Sequence, residues 1–224
     1  MRNLCIIPAR GGSKRISRKN IKNFLGKPII AYSIEAAINS KLFEEVMVST
    51  EDEEIAEVAK QYGAVVPFMR SEKNANDFAI LADVVEEVKK AYHLKGSEFE
   101  HICCILPTAP FVTVNLLNEG LSLLTKNDVD SVRPVVRFSY PIQRALRMEE
   151  NGILHMFQPE HLKTRSQDLE TAYHDAGQFY WMRNKGALKG TSKIGFEISE
   201  QYVQDIDTED DWKLAEFKFK YSFG

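Results

Sequence analysis

The segment 101–106 reads His-Ile-Cys-Cys-Ile-Leu, with no polar residue after its first. A strand that is apolar at every position must be covered on both faces, the situation of a central strand in a parallel sheet between helices. Around it the chain alternates strand and helix signals. Residues 4–8, Leu-Cys-Ile-Ile-Pro, form a second apolar strand. Pro28 opens a helical stretch whose apolar face, Ile30, Ile34, Ala37 and Ile38, repeats at spacings of four and three. Val46-Met47-Val48 is a short buried strand. Thr50-Glu51-Asp52-Glu53 then reads as a capping box for a helix bearing Ile55, Val58, Ala59 and Tyr62, which Gly63 ends. Residues 64–68 look like another strand, and Asn76 or Asp77 caps a helix with Phe78, Leu81, Ala82, Val85 and Val88 along one side.

Pro107 breaks the central strand, and a helix with Leu117, Leu121 and Leu124 follows Thr113. Strands are expected at 131–136, 178–182 and 202–206, and a last helix from Thr208 displays Trp212, Ala215 and Phe219. Between 137 and 175 the rhythm fails, which marks an inserted lobe or long arm in one domain spanning 1–224. The expected fold is α/β: a mostly parallel sheet with helices on both faces, binding ligands beyond the carboxyl ends of its strands. No apolar run approaches the roughly 18 residues of a membrane-spanning helix, and the first residues show no signal-peptide pattern. Cys5, Cys103 and Cys104 sit in apolar strands without metal spacing, as reduced core thiols of a cytoplasmic protein do.

The first strand runs directly into Ala9-Arg10-Gly11-Gly12-Ser13-Lys14-Arg15, followed by Arg18-Lys19-Asn20. The first 34 residues carry 8 Lys/Arg and no acid, whereas the remaining 190 carry 21 basic and 32 acidic residues. A chain of net charge −3 has therefore gathered its cations at one strand end. That suits a small polyphosphate and argues against a nucleic-acid track or a membrane surface. Gly11 and Gly12 let backbone approach a phosphate, Lys14 and Lys19 supply point charges, and Arg10 can fork onto two phosphate oxygens. The spacing is neither that of a Walker A loop nor G-x-G-x-x-G.

Three further constellations carry chemistry. In Gln204-Asp205-Ile206-Asp207-Thr208, strand alternation puts Asp205 and Asp207 on one face, where paired carboxylates can hold Mg²⁺ together with substrate phosphate oxygens. The alternative is that Asp207 caps the last helix; Glu209, Asp210 and Asp211 suit the positive end of its dipole. Leu106-Pro107-Thr108-Ala109-Pro110 ends the central strand in a stiff turn with one hydroxyl, Thr108. His174-Asp175-Ala176-Gly177-Gln178 gathers hydrogen-bonding groups suited to a base, to sugar hydroxyls or to a structural polar pair. Arg165 and Arg144 suit an anionic substrate or a subunit contact. His93, His101, His155 and His161 show no ligand spacing.

The run Ile7-Pro8-Ala9-Arg10-Gly11-Gly12-Ser13-Lys14 with Arg18-Lys19-Asn20 resembles the signature of the cytidylyltransferases that activate sialic-acid-like sugars. Val48-Ser49-Thr50-Glu51-Asp52, Leu106-Pro107-Thr108-Ala109-Pro110 and Asp205-Ile206-Asp207-Thr208 fall where that family has its other motifs. Arg165-Ser166-Gln167-Asp168-Leu169-Glu170 and the 174–181 segment are most similar to the branch acting on pseudaminic acid. The resemblance implies a Rossmann-like nucleotidyltransferase fold, Mg²⁺ as cofactor, and a homodimer in which the lobe crosses to its partner. It implies Arg10, Lys14, Lys19 and Asn20 at the CTP phosphates, with Ala9, Gly11, Gly12, Ser13 and Asp77 completing the nucleotide set, and Asp205 and Asp207 at the metal. Lys19, Arg10 and Asp207 are the expected catalytic residues. Arg70, Thr108, Arg165, His174, Asp175 and Gln178 are expected at the sugar acid, with Arg165 or Arg70 on its carboxylate. N-acetylneuraminate enzymes usually have Gln where this chain has Leu106, so a more deoxygenated sugar acid is expected. Legionaminic, N-acetylneuraminic and ketodeoxyoctonic acids are the alternatives, and a metal-dependent glycosyltransferase is a more remote one.

Overall fold

The computed structural model describes residues 2–76 and 79–224, so the expected roles of Asp77 and Phe78 lie outside the described residues. In chain order the elements are β1 (Asn3–Pro8), β2 (Asn23–Phe24), β3 (Lys27–Pro28), α1 (Ile29–Ser40), β4 (Glu45–Ser49), α2 (Glu53–Gln61), α3 (Glu72–Ala75), α4 (Leu81–Leu94) and β5 (His101–Ile105). Then follow α5 (Val114–Lys126), β6 (Ser131–Arg137), β7 (Leu146–Met148), β8 (Leu154–Met156), β9 (Tyr173–Asp175), β10 (Phe179–Arg183), β11 (Lys193–Glu197) and α6 (Glu209–Phe223).

The main sheet has the order β11-β6-β10-β5-β1-β4, with β9 added on β6. β1 pairs parallel with β4 and β5, and β11 parallel with β6; only β10 and β9 run against their neighbours. The mostly parallel expectation therefore holds, with a reversed strand inserted beside β5. The wholly apolar β5 is buried at every residue. Alternation then sorts the two faces. Cys5, Ile7, Cys103 and Ile105 pack with Ile30 and Ile34 of α1, Ile55 of α2 and Leu117 and Leu121 of α5. Leu4, Ile6, Ile102 and Cys104 pack with Val85, Val88 and Tyr92 of α4 on the other side. The three cysteines are buried free thiols, and burial pushes Cys104 up to about 12. Gly120 lets α5 lie directly on β10, since a Cβ there would stand 2.8 Å from Cδ1 of Trp181, whose indole donates to the Leu117 carbonyl.

Four local expectations change. Residues 64–68 give a single bridge, Met47 to Val65, because Pro67 has no N–H with which to extend the pairing. The helix expected to be capped at 76 or 77 begins at Leu81, and a one-turn helix, α3, precedes it. Asp52 caps α2 through a bond from the Ile55 amide, while Thr50 accepts from the Asp52 amide. The strand expected at 202–206 is absent: a 3₁₀ turn at Glu200–Tyr202 leads into unpaired extended chain, and the place beside β6 belongs to β11. The 137–175 lobe holds one hairpin, β7 with β8, and returns to the sheet through β9.

Candidate active site

β1 delivers the basic segment to the carboxyl end of the sheet, where α2 holds it. The Ala9 amide donates to the Ser49 carbonyl at 2.9 Å and the Gly11 amide to Glu51 Oε1 at 2.7 Å. A Cβ on Gly11 would lie 2.3 Å from Asp52 Oδ2, so the loop passes where only glycine fits. Arg18 adopts the left-handed conformation, φ 53°, and its guanidinium grips Asp52 through both nitrogens and also reaches Glu54. The Arg18 bond holds the Asp52 carboxyl at about 2, below the usual carboxylate range. Asn20 is buried and donates to the Arg10 carbonyl at 2.9 Å.

The loop faces the start of α6 across a cleft of about 580 Å³. Lys19 Nζ donates to the Ile206 carbonyl at 2.6 Å and lies 3.6 Å from Asp207 Oδ1, while Arg15 pairs with the same carboxylate oxygen at 2.8 Å. The cap of α6 is Thr208, closed by Asp211, whose Oδ2 accepts the amides of Asp207 and Thr208 and the Thr208 hydroxyl. Asp207 is thus not the cap, and its side chain points to cations instead. Arg10, Lys14, Arg15, Lys19 and Arg70 line this cleft against one described acid, Asp207. Ser13, Asn20 and Thr108 line it too, whereas Ala9, which is buried, Gly11 and the exposed Gly12 do not.

A second cleft, about 360 Å³, shares Leu106 with the first and is lined by His174, Asp175, Gln204, Asp205 and Lys218 among others. Asp175 is fixed by Arg133 at 2.9 Å, by the Gly177 amide at 2.8 Å and by the Tyr180 hydroxyl at 3.2 Å. His174 Nδ1 lies 2.9 Å from the Asp175 carbonyl, and its ring meets Phe138 edge-on.

Several placements depart from expectation. Asp205 and Asp207 do not share a strand face, because no ladder enforces a period of two there; Val203 and Ile206, three apart, are the buried pair. Asp205 opens to the second cleft and Asp207 to the first. Arg70 stands in the first cleft, 8% exposed, with two donors committed to the Ser49 hydroxyl and carbonyl. Burial lowers its pKa from the ordinary value. Arg165 lines neither cleft; it lies exposed on the lobe, paired with Asp168 at 2.7 Å. Gln178 is buried and lines neither: its amide holds the Tyr202 carbonyl at 2.6 Å, bracing the turn before Asp205. Arg15, Glu51, Asp52 and Tyr180 stand in the sequence within longer motifs without a site role of their own, and Arg133 lies outside every motif.

A sequence profile of the cytidylyltransferase family matches residues 4–216. The pseudaminic acid cytidylyltransferase of Campylobacter jejuni is 44% identical, over 98% of this chain and 97% of that protein. The CMP-N,N'-diacetyllegionaminic acid synthase of Legionella pneumophila is 33% identical, over 96% and 95%. Among solved structures, a CMP:2-keto-3-deoxy-manno-octonic acid synthetase complexed with CTP matches all of both chains with a TM-score of 0.72 at 16% identity, a likeness of fold. With its strand order, its basic loop and a match along nearly its whole length, the chain belongs to the cytidylyltransferase family.

Proposed function

We propose that this enzyme couples CTP to pseudaminic acid, a nine-carbon sialic-acid-like sugar, giving the CMP-sugar and pyrophosphate. The observation that carries the reading is the junction of two clefts at Leu106: five cations line one, and His174, Asp175 and Gln204 line the other. A triphosphate suits the first and a hydroxylated sugar acid the second. The anomeric hydroxyl then attacks the α-phosphorus where the clefts meet. One O–P bond forms, the α–β phosphoanhydride breaks, and the hydroxyl proton leaves to solvent. Transfers of this kind depend on positioning and charge neutralisation more than on covalent help from the protein. Lys19 and Arg10 neutralise the α-phosphate, Lys14 accompanies the departing pyrophosphate, and Thr108 orients its end of the cleft. Asp175, held by three donors, presents a fixed acceptor to sugar hydroxyls. Leu106 sets an apolar surface where an amide would select a more oxygenated sugar.

Magnesium takes one or two protein carboxylates and completes its shell with phosphate oxygens and water. In this reading Asp207 would offer its carboxylate from the first cleft and Asp205 from the second, with the nucleotide's phosphate oxygens completing the set. When bound, the ion supplies positive charge to the nucleotide and lowers the hydroxyl's pKa. The exposed Leu146, Met148, Leu154, Phe157 and Leu162 of the lobe suit burial against a second copy in a homodimer. No described helix is long and apolar enough to cross a membrane. The buried free thiols suit a cytoplasmic protein.

Pyrophosphate release is the test, with CTP, Mg²⁺ and a panel of pseudaminic, legionaminic, N-acetylneuraminic and ketodeoxyoctonic acids. Highest kcat/KM with pseudaminic acid is expected. Preference for another acid would overturn the sugar assignment, and release with none would overturn the activity.

A further inference from the structure

The wall of the first cleft includes Arg70, Asn74, Asn76, Leu81 and Val84. Arg70 is anchored to Ser49 and Thr50, but the stretch after it has little internal support. α3 is four residues long, Ser71 at its start makes no side-chain cap bond, and none of its residues is buried. A single helical turn does not sustain itself in water.

One carboxylate on the flank of α4 ties this stretch down. Glu87 Oε1 accepts the Ser71 amide at 2.8 Å; Oε2 accepts the Ser71 hydroxyl at 2.9 Å and also the Asn74 side-chain amide. Glu87 does not line the first cleft. It lines a separate one of about 830 Å³ behind the wall, and Asn74 is a lining residue of both. Burial pushes the Glu87 carboxyl up, but the bonds from Ser71 and Asn74, with the charge of Arg70, outweigh it and leave its pKa below the ordinary value. At neutral pH it is an ionised acceptor with three donors.

We propose that Glu87 is a positioning residue for the nucleotide, holding the 70–76 wall in place through Ser71 and Asn74 without touching the reacting groups. The proposal rests on the first cleft being the CTP site. Amide hydrogen exchange and steady-state kinetics on the wild type, Glu87→Ala and Glu87→Gln test it. In Glu87→Ala the Ser71 amide should exchange roughly tenfold faster or more, as lost bonds to a charged acceptor require. The amides of β5, which report the global fold, should be unchanged. KM for CTP should rise roughly tenfold with kcat kept within about twofold, and KM for the sugar acid should not move. In Glu87→Gln the amide oxygen still accepts the Ser71 amide, so both effects should be partly restored. Unchanged exchange at Ser71, faster exchange with an unchanged KM for CTP, or equal loosening of β5 would each overturn the proposal. A wild type that releases no pyrophosphate would instead sink the function and the proposal together, and is read separately from the variants.

Discussion

Gly11→Ala isolates what holds the basic loop. The residue is not in the left-handed region, so alanine meets no backbone strain; the obstacle is space. The new methyl would lie 2.3 Å from Asp52 Oδ2 and 3.1 Å from its Cγ, so the carboxylate must retreat beyond 3.0 Å. That carboxylate cannot move alone, because it caps α2 through the Ile55 amide at 3.0 Å and holds Arg18 through both oxygens. Losing the cap costs about 1 kcal/mol. The ion pair, with Arg18 35% and Asp52 20% exposed at the side chain, adds ~1 kcal/mol after screening by solvent. The expected loss is about 2 kcal/mol, or roughly 4–8 °C in Tm for a chain of this size. A double-mutant cycle by chemical denaturation decides whether the clash is the cause. Asp52→Ala alone should lose a similar amount, and adding Gly11→Ala to it should cost almost nothing, because the methyl then enters vacated space. If Gly11→Ala is as costly without the Asp52 side chain as with it, the steric account is wrong.

Asp52 also sets a pH dependence. Its folded pKa is about 2 against an ordinary 3.8, so the folded state binds this proton less readily than the unfolded chain does. The stabilisation is complete above the unfolded value and fades as pH falls from there through about 2. Asp52→Asn keeps a capping side chain but removes the titration, so its stability should fall less steeply between pH 5 and 2; parallel curves would refute the linkage. For Lys19→Ala, a kcat loss of roughly 10²-fold or more is expected, by the measure of other lost transition-state donors, with a lowered unfolding midpoint because the bond to the Ile206 carbonyl goes too; near-wild-type turnover would remove Lys19 from the chemistry. Leu154→Glu with Phe157→Glu should sediment as a monomer if a second copy covers the lobe, and a dimer that survives both charges would exclude that face.

What was legible in the chain is what local rules decide. β5 shows itself by having no polar face, α5 by Thr113 and its leucines, and the basic loop by its charge. The meeting of that loop with the segment before α6 was expected as a functional necessity, and the Lys19 bond to Ile206 spans 187 residues. A period of two for Asp205 and Asp207 presumes a paired strand, and β11 holds the neighbouring position beside β6. Arg70 is expected on the sugar carboxylate, and nothing adjacent in sequence reveals that the Ser49 hydroxyl and carbonyl occupy two of its donors. Arg165 looked available because its partner Asp168 is only three residues away, a local pair that charge type alone does not distinguish from a ligand contact. Arg133 and Tyr180 reach Asp175 from two different strands, a meeting that no local pattern encodes.

The closure of α6 by Thr208 and Asp211 has a consequence for Asp207. With the helix origin secured by Asp211, the Asp207 carboxylate is left to Arg15 and Lys19 and carries no part of the cap. A change of partner at Asp207 therefore asks only for rotation about side-chain bonds and leaves the first turn of α6 intact.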